Sequence, residues 1–387
     1  MLLTVLDKFR IRDKLLLPIV QGGMGVGVSA HRLAGSVARE GAMGTIASVD
    51  LRRHHPDLME QTGRSKDQGL IEAANLTALD REIGKARAIA GGKGMIAVNV
   101  MRAVSQYADL IRQSCASGAD ALVVGAGLPL DLPELTSDHP NVALIPVLSD
   151  ARGIGLLIKK WMRRNRLPDA IIIENPRFAA GHLGAPSTEA VKDPRFGFAT
   201  VLEGAHALLR ELGLERERIP LIAAGGVHSH QQVKDLIGMG ASAVQLGTPF
   251  AVSTEGDAHQ VFKDVLLEAG DADTVTFMSA AGLPARAVRT PWLMRYLDKE
   301  AKLQSKARPK PCTVGIECLQ QCGWRDGDAR AGQFCIDTQL AFALEGDRKR
   351  GLFFRGSEAL PFGAAMRPVR ELIDYMLNGT QPPRLAA

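Results

Sequence analysis

The first 270 residues alternate between short apolar runs and longer stretches with helical periodicity. The apolar runs are continuous and rich in Val, Ile and Leu, which is typical of strands buried on both faces of a parallel sheet. The predicted strands are Leu15–Val20, Ala42–Ala47, Met95–Val100, Ala121–Gly125, Ala143–Leu148, Ala170–Glu174, Pro220–Ala224 and Ala243–Gly247. The predicted helices are Ala30–Arg39, Ile71–Ala90, Tyr107–Ser117, Gly153–Arg164, Ala199–Leu212, Gln231–Met239 and His259–Glu268.

Eight strands, each with a crossover, predict an α/β chain folded as a (β/α)8 TIM barrel. A doubly wound open sheet is the main alternative, but such a sheet usually has fewer strands and a phosphate-binding loop after the first one. The glycines that follow the first strand here, between Gly22 and Gly27, do not keep the spacing of that loop. The pattern therefore favours the barrel.

The pattern changes after Gly270, where prolines interrupt a basic stretch. Four of the five cysteines follow within Cys312–Cys335, and a last helix is predicted over Val369–Leu377. We therefore predict a barrel over residues 1–270 and a cysteine-containing C-terminal extension over residues 271–387 that packs on the barrel.

Composition narrows the class of protein. The chain has 387 residues, of which 46% are hydrophobic and 23% charged, and this balance excludes a disordered or fibrous chain. A net charge of +5 and 5% aromatic residues argue against a nucleic-acid partner. No apolar run is long enough to span a membrane, and residues 1–14 lack the apolar core of a secretory signal. We predict a cytoplasmic protein, and the sequence leaves its oligomeric state open.

Two glycine-rich turns follow the last two predicted strands. The first contains Ala224, Gly225 and Gly226, and the second contains Gly247 and Thr248. In barrels of this kind the loops after strands seven and eight frequently bind a phosphate through backbone N–H groups. Glycine lets the anion approach the backbone. Two ordinary tight turns are the alternative, but their position after these two strands favours a phosphate site.

A histidine follows the sixth predicted strand, in a loop of small residues. His182 comes directly after Ala180 and Gly181, which leave room for a planar ligand. A loop in this position lies at the catalytic end of a barrel, and an imidazole can take or give a proton near neutral pH. A structural histidine is the alternative, but the phosphate site two strands away favours a catalytic role.

Five segments resemble the flavin-dependent nitronate monooxygenases, formerly called 2-nitropropane dioxygenases. They are Pro18–Met24, Ala179–Gly184, Ala223–Gly226, Val244–Thr248 and Ser279–Ala287, and they follow one another in the order of that family. Flavin-dependent enoyl-acyl-carrier-protein reductases and some NAD(P)H:quinone reductases are related to it. The ordered set spans most of the first 290 residues and is specific, although each segment alone is weak.

The resemblance implies that FMN binds in the barrel. The residues that it implies for the FMN phosphate are Ala224, Gly225, Gly226, Gly247 and Thr248. The residues that it implies for the flavin are Gly22, Gly23, Met24 and Asn99, with Ala180, Gly181 and His182 nearby. Glu174 or Asn175 would occupy the polar position ahead of the histidine loop. Relatives tend to have Glu-Gly or Asp-Gly where Asn175 stands, and this departure concerns the substrate more than the cofactor.

Cys312, Cys318, Cys322 and Cys335 lie close together in the sequence. In a cytoplasmic chain we expect thiols or metal ligands rather than disulfides. Structural zinc usually takes two short Cys-x2–4-Cys pairs, and this spacing contains only one. The Cys-x3-Cys-x12-Cys part resembles the iron–sulfur segment of the dienoyl-CoA reductases. We therefore predict a [4Fe–4S] cluster on the four cysteines, with zinc and free buried thiols as alternatives.

The resemblance implies an FMN-dependent oxidoreductase that oxidises nitronates or nitroalkanes with dioxygen through the flavin. His182 would be the base for a neutral nitroalkane. The alternative is an NAD(P)H-dependent reductase of an enone, an enoyl thioester or a quinone. A third hypothesis, a non-catalytic binder of a phosphate ligand or a nucleic acid, rests only on the basic stretch Lys299–Lys310. For the enzymes we expect a small-molecule substrate with dioxygen or NAD(P)H, and neither nucleic acid nor membrane.

Overall fold

The computed structural model describes residues 2–215 and 218–381. The strands are β1 (Phe9–Ile11), β2 (Lys14–Leu16), β3 (Ile19–Gln21), β4 (Met43–Ala47), β5 (Met95–Met101), β6 (Ala121–Gly125), β7 (Ala143–Leu148), β8 (Ile171–Glu174), β9 (Gly181–His182), β10 (Leu221–Ala224), β11 (Ala243–Leu246), β12 (Thr274–Met278) and β13 (Pro284–Val288). The α-helices are α1 (His31–Arg39), α2 (Pro56–Thr62), α3 (Gln68–Ala90), α4 (Tyr107–Ala116), α5 (Leu132–Leu135), α6 (Ala151–Met162), α7 (Phe198–Glu211), α8 (His230–Gly238), α9 (Thr248–Ala251), α10 (Gln260–Glu268), α11 (Pro291–Leu297), α12 (Glu300–Ser305), α13 (Gly323–Asp326), α14 (Ile336–Leu344) and α15 (Val369–Asn378).

Eight parallel strands close into a barrel in the order β3-β4-β5-β6-β7-β8-β10-β11. β11 closes the barrel against β3, where Gln245 lies opposite Val20. β8 pairs directly with β10, because β9 belongs to a separate antiparallel sheet with β12 and β13. The carboxyl ends of all eight barrel strands therefore meet at one end of the molecule. The (β/α)8 barrel predicted from the apolar pattern is confirmed.

The first predicted strand, Leu15–Val20, is divided in the structure. Its first part pairs antiparallel with β1 as β2, and the barrel begins only at β3. Pro18 lies between the two parts, and proline has no N–H to continue a strand ladder. The β1–β2 hairpin packs Phe9, Ile11 and Leu16 against side chains inside the barrel, at its amino-terminal end. One apolar run thus contributes both a strand of the hairpin that covers the amino-terminal end of the barrel and a strand of the barrel itself.

The C-terminal part of the chain contributes to the barrel itself. α15 contacts α8 and α1, and its Ile373 and Met376 lie in the same apolar cluster as the other barrel helices. By contrast, α14 packs its Leu344 near Val26 and Val28, beside the carboxyl ends of the strands. Residues on both sides of the predicted division at 270 share one core, and the division itself stays a prediction.

Across residues 2–215 and 218–381, no helix has both the length and the apolar character needed to cross a membrane. The cytoplasmic location stays a prediction.

Close helix–strand packing depends on glycine at one position of β4. A Cβ atom on Gly44 would overlap the carbonyl group of Ala34 in α1. Gly84, in the middle of α3, differs because a Cβ atom there would meet nothing within 4 Å. The two glycines therefore offer a matched pair of substitutions.

We expect Gly44→Ala to lower the free energy of unfolding by about 1–3 kcal/mol, because α1 must move away from β4. Gly84→Ala is the control, and it should raise stability by about 0.5–1 kcal/mol, because alanine favours a helix over glycine. Urea unfolding followed by circular dichroism measures both changes. Equal midpoints for the two variants would contradict this account of α1 packing.

Candidate active site

A cavity of about 270 Å³ lies at the carboxyl ends of the barrel strands. Its volume is close to the lower end of the range for small-molecule sites, about 300–1,000 Å³. All thirteen residues predicted for FMN binding and catalysis line it: Gly22, Gly23, Met24, Asn99, Glu174, Ala180, Gly181, His182, Ala224, Gly225, Gly226, Gly247 and Thr248. The structure brings these residues together, and their roles stay predictions.

The chain that follows β3 approaches β5 so closely that it leaves no room for side chains. A Cβ atom on Gly23 would collide with the side chain of Asn99. A Cβ atom on Gly22 would lie 3.3 Å from the side-chain amide of Gln245. Asn99 itself donates a hydrogen bond to the carbonyl of Val123 at 3.2 Å, which fixes its amide. This part of the cavity wall is therefore bare backbone that a flat ligand can approach.

The two predicted phosphate-binding turns lie side by side at the cavity. Gly225 and Gly226 have φ angles of +99° and +79°, a conformation that disfavours any residue with a side chain. A Cβ atom on Gly226 would also lie 2.7 Å from Cβ of Phe178. Thr248 begins the short helix α9, and its hydroxyl accepts a hydrogen bond from the N–H of Gly356 at 3.1 Å.

His182 is held in place by the C-terminal sheet. It lies on β9, which pairs antiparallel with β13 so that His182 is opposite Ala285. The adjacent Arg286 is buried, and its guanidinium donates a hydrogen bond to the carbonyl of Ala179 at 2.6 Å. The His182 ring lies 5.8 Å from the ring of Phe354. Both neighbours on β13 thus fix the backbone that carries the imidazole.

Burial sets the protonation of the two titratable groups on this side of the cavity. Desolvation lowers the pKa of His182 to about 4, so its imidazole is neutral at pH 7. Nε2 of this ring is buried and has no hydrogen-bond partner among the described residues. Desolvation raises the pKa of Glu174 to about 7, so this carboxyl group is partly protonated at neutral pH. No Lys or Arg of the described ranges 2–215 and 218–381 lines the cavity.

The two polar residues ahead of the histidine loop lie in different places. Glu174 lines the cavity, whereas Asn175 is buried outside it and accepts a hydrogen bond from the N–H of Arg177. Asn175 therefore shapes the turn. Its local sequence could not show this, because residues at the end of a strand alternate between the two faces of the barrel wall.

One wall of the cavity was missed by sequence reasoning. Leu340 and Ala343 of α14, with Leu352, Phe354 and Leu360 beyond it, line the cavity from the C-terminal part of the chain. Their apolar character alone is equally consistent with an ordinary core. Only their position across from the barrel strands shows that they border the ligand site.

The four clustered cysteines line a second, smaller cavity. Burial raises the pKa of the Cys318 thiol, and Asp337 and the other three cysteines raise it further, so the four sulfur atoms lie near one another. In the part of the chain that the structure describes, no three His, Cys, Asp or Glu side chains are grouped so that they could hold a metal ion. The predicted iron–sulfur cluster is therefore not confirmed, because sequence spacing does not determine how thiols point.

A closed eight-stranded α/β barrel, with a glycine-lined cavity and a buried imidazole at its carboxyl end, has the architecture of the (β/α)8-barrel enzymes, whose active sites lie at that end. The chain belongs to the nitronate monooxygenase family, whose model, described as "Nitronate monooxygenase", matches residues 10–379. The protein is accordingly an FMN-dependent oxidoreductase, which confirms the resemblance seen in the sequence.

Two relatives are similar to the chain, one over most of its length and one over about a third of it. A probable nitronate monooxygenase of Bacillus subtilis (strain 168) is 27% identical over 319 residues, which cover 79% of this chain and 85% of that protein. The nitronate monooxygenase of Pseudomonas aeruginosa is 36% identical over 123 residues, covering 30% of this chain and 32% of that protein.

Two solved structures share the fold. FabK from Thermotoga maritima has a TM-score of 0.65 at 22% identity, and the superposed part covers 93% of this chain and 91% of the FabK chain. Nitroalkane oxidase from Streptomyces ansochromogenes has a TM-score of 0.61 at 18% identity and covers 93% of this chain and 94% of its own. At these identities the likeness concerns the fold alone.

We expect Glu174→Gln to stabilise the cofactor-free protein as the pH rises. Because the folded pKa of Glu174 is raised from 4.5 to about 7, its contribution to stability is fully present below pH 4.5 and is lost as the pH rises through about 7. The variant lacks this ionisation. At pH 8 it should therefore avoid a loss of up to about 3 kcal/mol in the free energy of unfolding. Thermal unfolding between about pH 5 and 8 measures the difference. Glu203→Gln, at an exposed position of α7, is the control. Parallel curves for wild type and Glu174→Gln would contradict the assignment.

Proposed function

We propose that the protein binds FMN in the glycine-lined cavity and oxidises nitronates or nitroalkanes with dioxygen. The observation that carries this proposal is the buried, neutral imidazole of His182, whose Nε2 borders the cavity and has no hydrogen-bond partner within residues 2–215 and 218–381. A neutral imidazole with a free nitrogen is suited to remove a proton from carbon or to hold a negatively charged oxygen.

The residues present fit a flavin mononucleotide. The phosphate would lie on the turns of Ala224–Gly226 and Gly247–Thr248, where backbone N–H groups and a hydroxyl replace the missing Lys and Arg. The ring system would lie against the bare backbone of Gly22 and Gly23, which pack closely against the side chains of Gln245 and Asn99. Met24 and Asn99 would border the same ring, with Ala180 and Gly181 across from them.

FMN, when bound, would accept electrons from the substrate and pass them to dioxygen. For a neutral nitroalkane, Nε2 of His182 would take the proton from the carbon next to the nitro group. For a nitronate, which has already lost that proton, His182 would stabilise the negative charge on oxygen. Glu174 is partly protonated at neutral pH, and it therefore adds little repulsion against an anionic substrate.

The walls of the cavity limit the substrate class. Leu340, Leu352 and Phe354 give an apolar surface, and the absence of Lys and Arg from the lining within residues 2–215 and 218–381 offers no ion pair to a second charged group. A small substrate with an apolar chain and one delocalised polar group fits these walls.

The second candidate is an NAD(P)H-dependent reductase of an enone, an enoyl thioester or a quinone. One observation favours it: α14 joins the two cavities, since Cys335 at its start lines the cysteine cavity and Leu340 lines the flavin cavity. In this case His182 would donate a proton or orient the substrate.

We expect His182→Asn to reduce turnover of a neutral nitroalkane by about 10²–10⁴-fold, because the base is lost. FMN should remain bound, and turnover of the preformed nitronate should fall much less. The nitronate is therefore the control, because its oxidation does not need the base. In the wild type the nitroalkane rate should stay level down to about pH 5 and fall as the pH drops through about 4. Unchanged nitroalkane turnover in the variant would rule out the base assignment.

Anaerobic mixing separates the two candidate functions. We expect the flavin absorption to bleach rapidly with a nitronate and slowly with NADH or NADPH, and to return when air is admitted. Stopped-flow absorbance measures both reactions with the same protein. Rapid bleaching by NAD(P)H with none by nitronates would instead establish the reductase.

A further inference from the structure

We propose that Cys312, Cys318, Cys322 and Cys335 are the thiolate ligands of an iron–sulfur cluster placed beside the flavin cavity. This site is additional to the proposed oxidation of nitronates and does not depend on it. The observation behind it is that four cysteines, all outside helices and strands, line one small cavity.

The cavity is built around sulfur. All four cysteines line it, and the other lining residues are largely apolar, among them Ile316, Leu319 and Ile336. Cys115, by contrast, is buried in the main apolar core on α4. Thiolates are the usual ligands of iron–sulfur clusters, which four cysteines hold.

Hydrogen-bond donors already face two of the sulfur atoms. The N–H groups of Trp324 and Arg325 donate to the sulfur of Cys322, and the hydroxyl of Thr338 donates to Sγ of Cys335 at 3.2 Å. Such bonds stabilise charge on sulfur, and they are among the factors that set the potential of a cluster.

Arg325 also fixes the loop that carries two of the ligands. Its guanidinium donates to the carbonyl groups of Leu319 and Gln320 at 2.7 and 2.9 Å. The same side chain lines the cysteine cavity, so its positive charge offsets part of the charge of four thiolates.

The spacing of the cysteines favours a cluster over zinc, because it contains only one of the two short Cys-x2–4-Cys pairs that structural zinc usually takes. Zinc needs all of its sulfur ligands about 2.3 Å from a single centre. In a [4Fe–4S] cluster each thiolate binds a different iron, so the ligands surround a larger group.

Two connections tie the cysteine cavity to the flavin cavity. The N–H of Ser105, in the loop after β5, donates to the carbonyl of Cys318 at 3.2 Å, and Met101 at the end of β5 lines the flavin cavity. On the other side, Cys335 precedes α14, and Leu340 lies five residues further on, a rise of about 7.5 Å along the helix. The two sites are therefore neighbours.

The test is iron, acid-labile sulfide, zinc and FMN analysis of the full-length protein purified without air. We expect about four irons and four sulfides per chain. Cys318→Ser and Cys335→Ser should each lose the iron and sulfide, and Cys115→Ser, the matched control, should keep them. FMN content reports separately on the flavin site, so that failure of one proposal is distinguishable from failure of the other.

Reconstitution of the wild type with ferrous iron and sulfide keeps the proposal testable if a cysteine variant does not fold. Uptake of both elements supports the cluster. Dithionite should then lower the visible absorption further after the flavin is already fully reduced. Stoichiometric zinc in place of iron would overturn it. Absence of iron and sulfide before and after reconstitution would overturn it as well.

Discussion

The pairing of β11 with β3 is the interaction on which the site depends. The N–H of Val244 donates to the carbonyl of Pro18, and the N–H of Gly22 donates to the carbonyl of Leu246. These bonds close the barrel and bring the glycines after the first barrel strand beside those after the last. Two stretches of bare backbone that are far apart in the sequence thereby become one surface. Without closure neither turn would face the other, and a ligand could not contact both.

The C-terminal part of the chain adds a further wall to this surface. β13 adds to β9 and holds the histidine loop, and the buried guanidinium of Arg286 satisfies the carbonyl of Ala179. Burial lowers the pKa of Arg286. α14 and Phe354 then cover the cavity from above the strands. The same residues that fix the imidazole thus exclude water around it.

Exclusion of water explains the chemistry that the cavity offers. Desolvation disfavours charge on His182 and Glu174, so the pKa of His182 falls and that of Glu174 rises. Both groups are therefore partly or wholly neutral near pH 7. In such a medium a hydrogen bond to a developing charge is stronger than in water. Nε2 of His182, which lacks a partner in the described part of the chain, can therefore interact strongly with a charge that develops on a neighbouring molecule.

Local physics explains how much the sequence alone determined. Buried parallel strands need continuous apolar runs, and close backbone approaches need glycine, so the eight strands and the turns at Gly225 and Gly247 could be predicted. Long-range packing decided the rest. It divided the first apolar run at Pro18, placed α15 among the barrel helices, and selected Glu174 over Asn175 for the cavity. It also set Phe354 against His182, because contacts between distant segments have no signature in either segment.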